Sequence, residues 1–485
     1  MSDKVQAGGA PEAAGPDPAV PGTAGAPEAA SSQTTGPAAA QPEAAKPVTT
    51  VQPKATEIVT TAAPGTVTAP GGPGRPRGAL TGNVIIQSVI QGSPVAVTLL
   101  AIFAALVIGG ILIVVSDPVV LRAWDSFGYA PGAAFSATWN SVAAAYSAMF
   151  EGAIFSPSTI SSAFHGGSIA AIFYPLSLTV FAATPLILTG LSVGIAFRVG
   201  LFNIGAQSQF IGGSIVAAWL GFAYNMPAVI HVVVCVLGAL AGGVVMGWLV
   251  GALKARTGAH EVILTIMLNY VMYYLLLYLL STPRALQQPH QNNQIAPTVK
   301  PSAYLWHVGG PPPQANAGFL IALAAAAVVA WLMSRSTLGF QFRTVGANPS
   351  AAKTAGIKVE RVWVVVMAIA GGLAGLAALP VVLGGGIPPP PLTTSTFGTY
   401  GIQGITVALL GRAKPSGIVL AALLFGALDT GGTAMAAATP VPADIVQVLQ
   451  GLIVLFVAAP PLIRAVFRLR SASGGMEIAG KGWSG

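Results

Sequence analysis

The chain has 485 residues, of which 54% are hydrophobic and only 7% charged, whereas a soluble domain carries about 25% charged residues. That excludes a wholly water-exposed globule, and with the basic residues confined to short loops the formal charge of +8 does not indicate nucleic-acid binding. Stretches such as 317–332 are apolar on all sides, the pattern of a membrane helix, not the alternation of a lipid-facing barrel.

In chain order, residues 1–80 are dominated by Ala, Pro, Gly, Thr and Glu. They carry too little apolar surface to offset chain entropy, which predicts a disordered cytoplasmic tail. Its opening, MSDKVQAGGAPEAAG, lacks the apolar core of a cleavable signal peptide. A first span is expected from about Val95 to Val115. The stretch 117–167 mixes aromatics, Gly and Ser with Arg122, Asp125 and Glu151, which predicts short helices on the outer face. Further apolar segments lie near 172–197, 205–223, 228–252, 262–281, 317–334, 362–384, 402–411, 416–435 and 443–466. The fold class is therefore all-α: a polytopic transmembrane helical bundle of about ten membrane segments over a domain at 90–466, followed by a flexible cytoplasmic tail at 467–485.

The segment 402–411 is too short to cross alone and follows GGGIPPPPLTTSTFGTYG. Irregular backbone at membrane depth needs protein or a water-filled cavity around it, so this region reads as a broken or re-entrant element lining a path. With the N-terminus inside, only Arg122, Arg284 and Lys300 of the 22 Lys and Arg fall outside. The positive-inside rule then places both termini in the cytoplasm.

A second break lies at FNIG, residues 202–205, between two apolar helices. Asn203 is expected to cap the following helix, with Gln207 and Gln209 inside it. These amides either hold neighbouring helices together or line a solute path. Glu261 opens a span, where a carboxylate suits the positive end of the helix dipole. Asn269, with Tyr270, Tyr273 and Tyr274 around it, suits a planar hydrogen-bonding solute or plain helix packing. Gly242 with Gly243, and Gly371 with Gly372, allow close helix approach. Asp429 marks a functional position if it sits at depth, and little if it lies at the outer end of its helix.

In the loop 334–361, Asn348 can act as N-cap, Pro349 suits the first turn, and Gly356 can end a short helix over 350–355. Flanked by Arg343, Lys353 and Lys358, so short a helix is unstable alone. It is either a docking element or an ordinary capped connector. Cys235 is the single cysteine, so disulfides and paired-Cys metal sites are excluded. The five histidines are scattered, and GxxxxGK[ST] and HExxH are absent. No enzyme chemistry, cofactor or metal is expected, and energy must come from elsewhere.

FNIGAQSQ at 202–209 resembles the FNIGAEGQ signature of ABC importer permeases of the branched-chain amino acid, simple-sugar and nucleoside superfamily. EVILTIMLNY from Glu261, FRTVGANPSAAKTAGI from Phe342 and GIQGITVALLGRAKPSGIVLAALLFGAL from Gly401 are similar in order and spacing to segments of its nucleoside-type permeases, over roughly residues 90–466. The chain departs from the pattern at Gln207 and Ser208, where Glu-Gly is usual, and at Gln403, a position often Asp or Thr.

The resemblance implies a permease in the bacterial inner (plasma) membrane that imports a nucleoside or purine-like solute, or a simple sugar. It also implies partners: an ABC ATPase subunit, a second identical or homologous permease, an extracytoplasmic solute-binding protein and membrane lipid. The substrate pathway is expected to include Asn203, Gln207, Gln209, Asn269, Tyr273, Gln403 and Asp429. The coupling loop to the ATPase is expected to include Arg343, Gly346, Asn348, Pro349, Ala352, Lys353 and Gly356. An ion-coupled transporter would need buried ionisable residues in several spans, and apart from Asp429 these are nearly absent. A membrane scaffold would leave the polar breaks unexplained.

Overall fold

Proline opens many of the helices, at a position where its missing N–H costs nothing. The computed structural model describes residues 94–467, apart from 167–168, 284, 291–292, 308–314 and 397. The expected N-terminal tail, and the C-terminal one beyond Phe467, lie outside these residues. The first five helices are α1 (Pro94–Ser116), α2 (Pro118–Asp125), α3 (Pro131–Ala153), α4 (Pro157–Phe164) and α5 (Ile169–Ile172). The central set is α6 (Tyr174–Phe197), α7 (Ala206–Ala223), α8 (Ala228–Thr257), α9 (Glu261–Ser281) and α10 (Gly318–Arg335). A helix pair follows, α11 (Thr337–Ala347) and α12 (Pro349–Thr354), then α13 (Val359–Leu376) and α14 (Ala378–Val382). The chain ends with α15 (Tyr400–Leu410), α16 (Pro415–Ala438), α17 (Asp444–Ala458) and α18 (Pro460–Val466). No strand forms among the described residues; His307 and Asn316 make an isolated bridge.

Among the described residues, seven helices are long and apolar enough to cross a membrane, within α1, α6, α8, α9, α10, α13–α14 and α16. The other expected segments are helical too, but α7 is diluted by amides and small residues, while α15 and α17 are short. Pro380 lies where α13 gives way to α14, and Pro460 begins α18 after α17, so 362–384 and 443–466 are each two helices.

The core is organised around α6, which is buried continuously from Ala182 to Ala196. It packs against α3, α10, α13, α15 and α16. Glycines bring α8 and α13 together: a Cβ at Gly243 would strike the carbonyl of Gly371, and one at Gly247 the carbonyl of Met367. Gly242 instead faces Gly212 of α7, and Gly372 faces Leu240. Cys235 is buried among apolar neighbours.

The stretch read as short helices does contain α2 and α4, each of 8 residues, but α3 between them is a 23-residue helix. It runs antiparallel to α1. Ser141 Oγ donates to Asp117 at the end of α1, and Tyr146 Oη donates to the Leu106 carbonyl inside it. Its C-terminal end lies on α16, where Gly152 faces Ala434 and Gly431 faces Met149. Ser, Thr, Asn and Glu lower its apolarity, so composition understates a helix that buries mainly small residues.

The basic loops gather at one end of the bundle. Arg198 Nε donates to the Ala413 carbonyl at 3.2 Å, and Lys254 sits 4.9 Å from the centre of the Trp363 ring. Lys300 is at the opposite end, its backbone N–H bonded to the Gly221 carbonyl at 2.9 Å.

Candidate functional site

Two helix breaks lie inside this bundle, and each is capped by an amide from another helix. At the first, the chain leaves α6 at Arg198, turns through Gly200 with φ of 79°, and begins α7 at Ala206. Asn203 is fully buried and does not cap α7; Gly205 occupies the N-cap position. Instead, Asn203 Nδ2 donates to Gln209 Oε1 at 2.9 Å and to Ser192 Oγ at 3.0 Å. Gln209 Nε2 donates back to Asn203 Oδ1 at 3.1 Å. Two buried amides thereby satisfy one another.

The cap for α7 comes from α9. Asn269 Oδ1 accepts from the Ser208 N–H at 2.9 Å, while its Nδ2 donates to the Ile204 carbonyl at 3.0 Å. Side-chain capping of this kind contributes about 1 kcal/mol.

At the second break, α15 begins part-way through the bundle. Its 11 residues span about 16 Å, roughly half a hydrocarbon core. Gln207 Oε1 accepts from the Gly401 N–H at 2.8 Å, and Gln207 Nε2 donates to the Gly398 carbonyl at 3.1 Å. A Cβ at Gly401 would overlap the Gln207 backbone, so the approach requires glycine. The irregular backbone before α15 is tied down as well. Leu305 N–H bonds the Leu383 carbonyl at 2.9 Å, Ala296 N–H bonds the Leu392 carbonyl at 3.0 Å, and Asn316 Nδ2 donates to the Gly384 carbonyl at 2.9 Å. These bonds satisfy polar backbone where lipid could not.

Glu261, the first residue of α9, finds a cation in addition to its place at the helix N-terminus. It pairs with Lys254 Nζ at 2.6 Å and also accepts from the Phe202 backbone. The first break is thus held from α9 at two points, Glu261 and Asn269.

The other expected path residues divide. Gln403 is half-buried on α15, and its side chain makes no hydrogen bond to another described residue. Asp429 lies 14 residues into α16 and nine before its end, not at the helix terminus. Tyr273 is not gathered with these groups. It is 39% exposed and meets Tyr274 edge-on at 5.4 Å, with Tyr270 and Tyr274 more exposed still. Tyr273 lies one turn beyond Asn269 on the same side of α9, yet its ring is exposed with those of Tyr270 and Tyr274.

At the basic end, α12 forms as its local signals imply. Asn348 Oδ1 accepts from the Ala351 N–H at 3.0 Å, Pro349 starts the helix, and Gly356 ends it with φ of 83°. The preceding α11 was not anticipated; its signal is Ser336, whose Oγ accepts from the Gly339 N–H at 2.9 Å. Phe342, Val345 and Ala352 point inward and are fully buried, while Arg343, Asn348, Pro349 and Lys353 are exposed. Gly346 rests on α6: a Cβ there would strike the Arg198 carbonyl. The pair α11–α12 therefore bears on the chain just before the first break.

A multi-pass bundle with two trans-capped breaks, and an exposed helix pair seated against one of them, has the build of the membrane-spanning subunit of a transporter. Residues 175–458 match the family described as branched-chain amino acid transport system / permease component, and the chain belongs to that family. It is 33% identical over 374 residues to the guanosine ABC transporter permease protein NupP of Bacillus subtilis, covering 77% of this chain and 96% of the relative. It is 32% identical over 288 residues to the nucleoside ABC transporter permease protein NupB of Lactococcus lactis, covering 58% and 78%. Similarity to a glucose ABC transporter permease protein of Haloferax volcanii is 30% over 291 residues, covering 58% and 76%. No solved structure matches the chain significantly.

Proposed function

We propose that the chain imports a nucleoside as one permease of an ATP-driven transporter, with a simple sugar as the second reading. The similarity to a guanosine permease over nearly its whole length favours the nucleoside, and the glucose permease keeps the sugar in view. ATP is hydrolysed on a separate ABC subunit. An extracytoplasmic binding protein delivers the solute, a second identical or homologous permease completes the path, and lipid surrounds the pair. The basic end faces the cytoplasm, as positive-inside bias requires, with both termini on that side and about ten membrane segments, of which α15 is re-entrant.

The observation that carries the mechanism is the series of contacts from α11 to α15. Gly346 bears on Arg198, the break follows, and Gln207 in the first turn beyond it holds Gly401 of α15. ATP can shift the permease only through contacts that differ between its two states. In this reading the ATPase docks on Arg343, Asn348, Pro349 and Lys353, with Gly346, Ala352 and Gly356 shaping the element. Displacement there moves the first break and, through Gln207, the half-helix. The path runs beside α15, with Gln403 and Asp429 as polar lining and the Asn203, Gln209 and Asn269 network as its frame.

The test replaces residues 349–355 with a Gly/Ser linker in a chain co-expressed with its partners. The chain is expected to insert normally and lose nucleoside uptake; uptake at the unaltered rate sinks the coupling role. Competition by nucleosides against simple sugars on the unaltered transporter decides the solute class.

A further inference from the structure

Asp429 stands about 21 Å along α16 from Pro415, well inside the helix. It lines a cavity of about 330 Å³ between α6, α16 and α17, shared with Phe181, Ala182, Thr430, Thr433, Val446 and Gln447. A carboxylate offers about four acceptor positions. Here its one described hydrogen-bond partner is Gln450 Nε2, at a long 3.5 Å. The ion pairs among the described residues are Lys254–Glu261 and Lys353–Glu360, so no cation there neutralises it.

The two threonine hydroxyls beside it do not compete for it. Thr430 Oγ1 donates to the Gly426 carbonyl at 2.9 Å, and Thr433 Oγ1 to the Thr430 carbonyl at 2.8 Å. The cavity therefore presents an underused carboxylate beside the Phe181 ring, against helices that also pack on α15. A carboxylate at such depth is costly unless something pairs with it.

We propose that Asp429 recognises the solute, its two oxygens accepting a pair of adjacent donors. Two groups on a nucleoside carry such a pair: the N1–H and 2-amino edge of a guanine, and the 2′,3′-diol of a ribose. This rests on the transport reading above and adds to it the group that is recognised. Paired acceptance by a carboxylate has the geometry to discriminate, and a site built to bond a donor rejects an analogue that lacks it.

The experiment uses the whole transporter in cells without other nucleoside uptake. Guanosine, inosine, which lacks the 2-amino group, and 2′,3′-dideoxyguanosine, which lacks the diol, are compared for the unaltered chain and Asp429→Asn. The delivery partner is common to both, so each solute's variant-to-unaltered ratio cancels that partner's own selectivity. Guanosine uptake is expected to fall tenfold or more. The analogue lacking the recognised pair should keep a ratio near one: inosine if the base edge is read, dideoxyguanosine if the diol is.

Equal ratios for all three solutes overturn the assignment, as does no change in any. If Asp429→Asn fails to co-purify with its partners, Asp429→Glu, which keeps the charge and shifts it by one methylene, is read in the same way. If the unaltered transporter takes up a sugar and no nucleoside, the nucleoside reading alone has failed. Asp429 is then judged on that sugar against its analogue lacking one of two adjacent hydroxyls, and equal ratios again overturn it.

Discussion

Gln207 and Gly401, 194 positions apart, are joined by a 2.8 Å hydrogen bond in which a side chain of α7 caps the half-helix α15. The same amide donates to Gly398, so one residue satisfies both sides of the break. The amide does this in a single, uncharged state, because it carries a donor and an acceptor together.

Replacing Gln207 by Met keeps the volume and removes both bonds. The Gly401 N–H and Gly398 carbonyl lose their partner, at a cost of about 2 kcal/mol. Thermal unfolding of the detergent-solubilised subunit should show the loss, with Gln207→Glu, which retains the acceptor, falling between. A Met variant as stable as the parent would remove the capping role.

The Asn203–Gln209 pair is expected to behave as a unit. Leu at either position leaves the other amide buried without that partner, whereas Leu at both removes the need. Each single change should cost about 1–3 kcal/mol, and the double change less than their sum, with a coupling of about 1 kcal/mol. Additive costs in unfolding measurements would show that the two amides act independently.

Lys254→Met strands the Glu261 carboxylate, which is only 7% exposed. Breaking a buried pair from one side costs about 3 kcal/mol. Lowered yield and stability are expected for Lys254→Met, with substantial recovery in the double variant Lys254→Met, Glu261→Gln. Recovery would fail to appear if Glu261 were held chiefly by the helix dipole.

Gly346→Ala tests the contact between the exposed pair α11–α12 and the end of α6. The added methyl meets the Arg198 carbonyl and must displace α11. Uptake should fall roughly tenfold, about 1.4 kcal/mol of coupling, while the ATPase still co-purifies. An unchanged transport rate would mean that this contact transmits nothing.

The amino-acid sequence by itself determined the lipid environment, the helical class and the places where backbone breaks. These follow from apolar runs, scarce charge and Gly/Pro-rich interruptions, all read within a few neighbouring residues. It also determined α12, because Asn348, Pro349 and Gly356 act within one or two turns. Only the tertiary structure decided which amide meets which break. Asn203 had the local chemistry of an N-cap, yet Asn269, 61 positions from the N–H it accepts from, took that role and left Asn203 to Gln209. Capping bonds contribute about 1 kcal/mol wherever they form, so packing between distant helices selects among competing partners. The same holds for α3, whose polar residues hid a full-length helix until α1 and α16 supplied its surfaces, and for α11, which rests on Arg198 through a glycine that gives no sign of its neighbour.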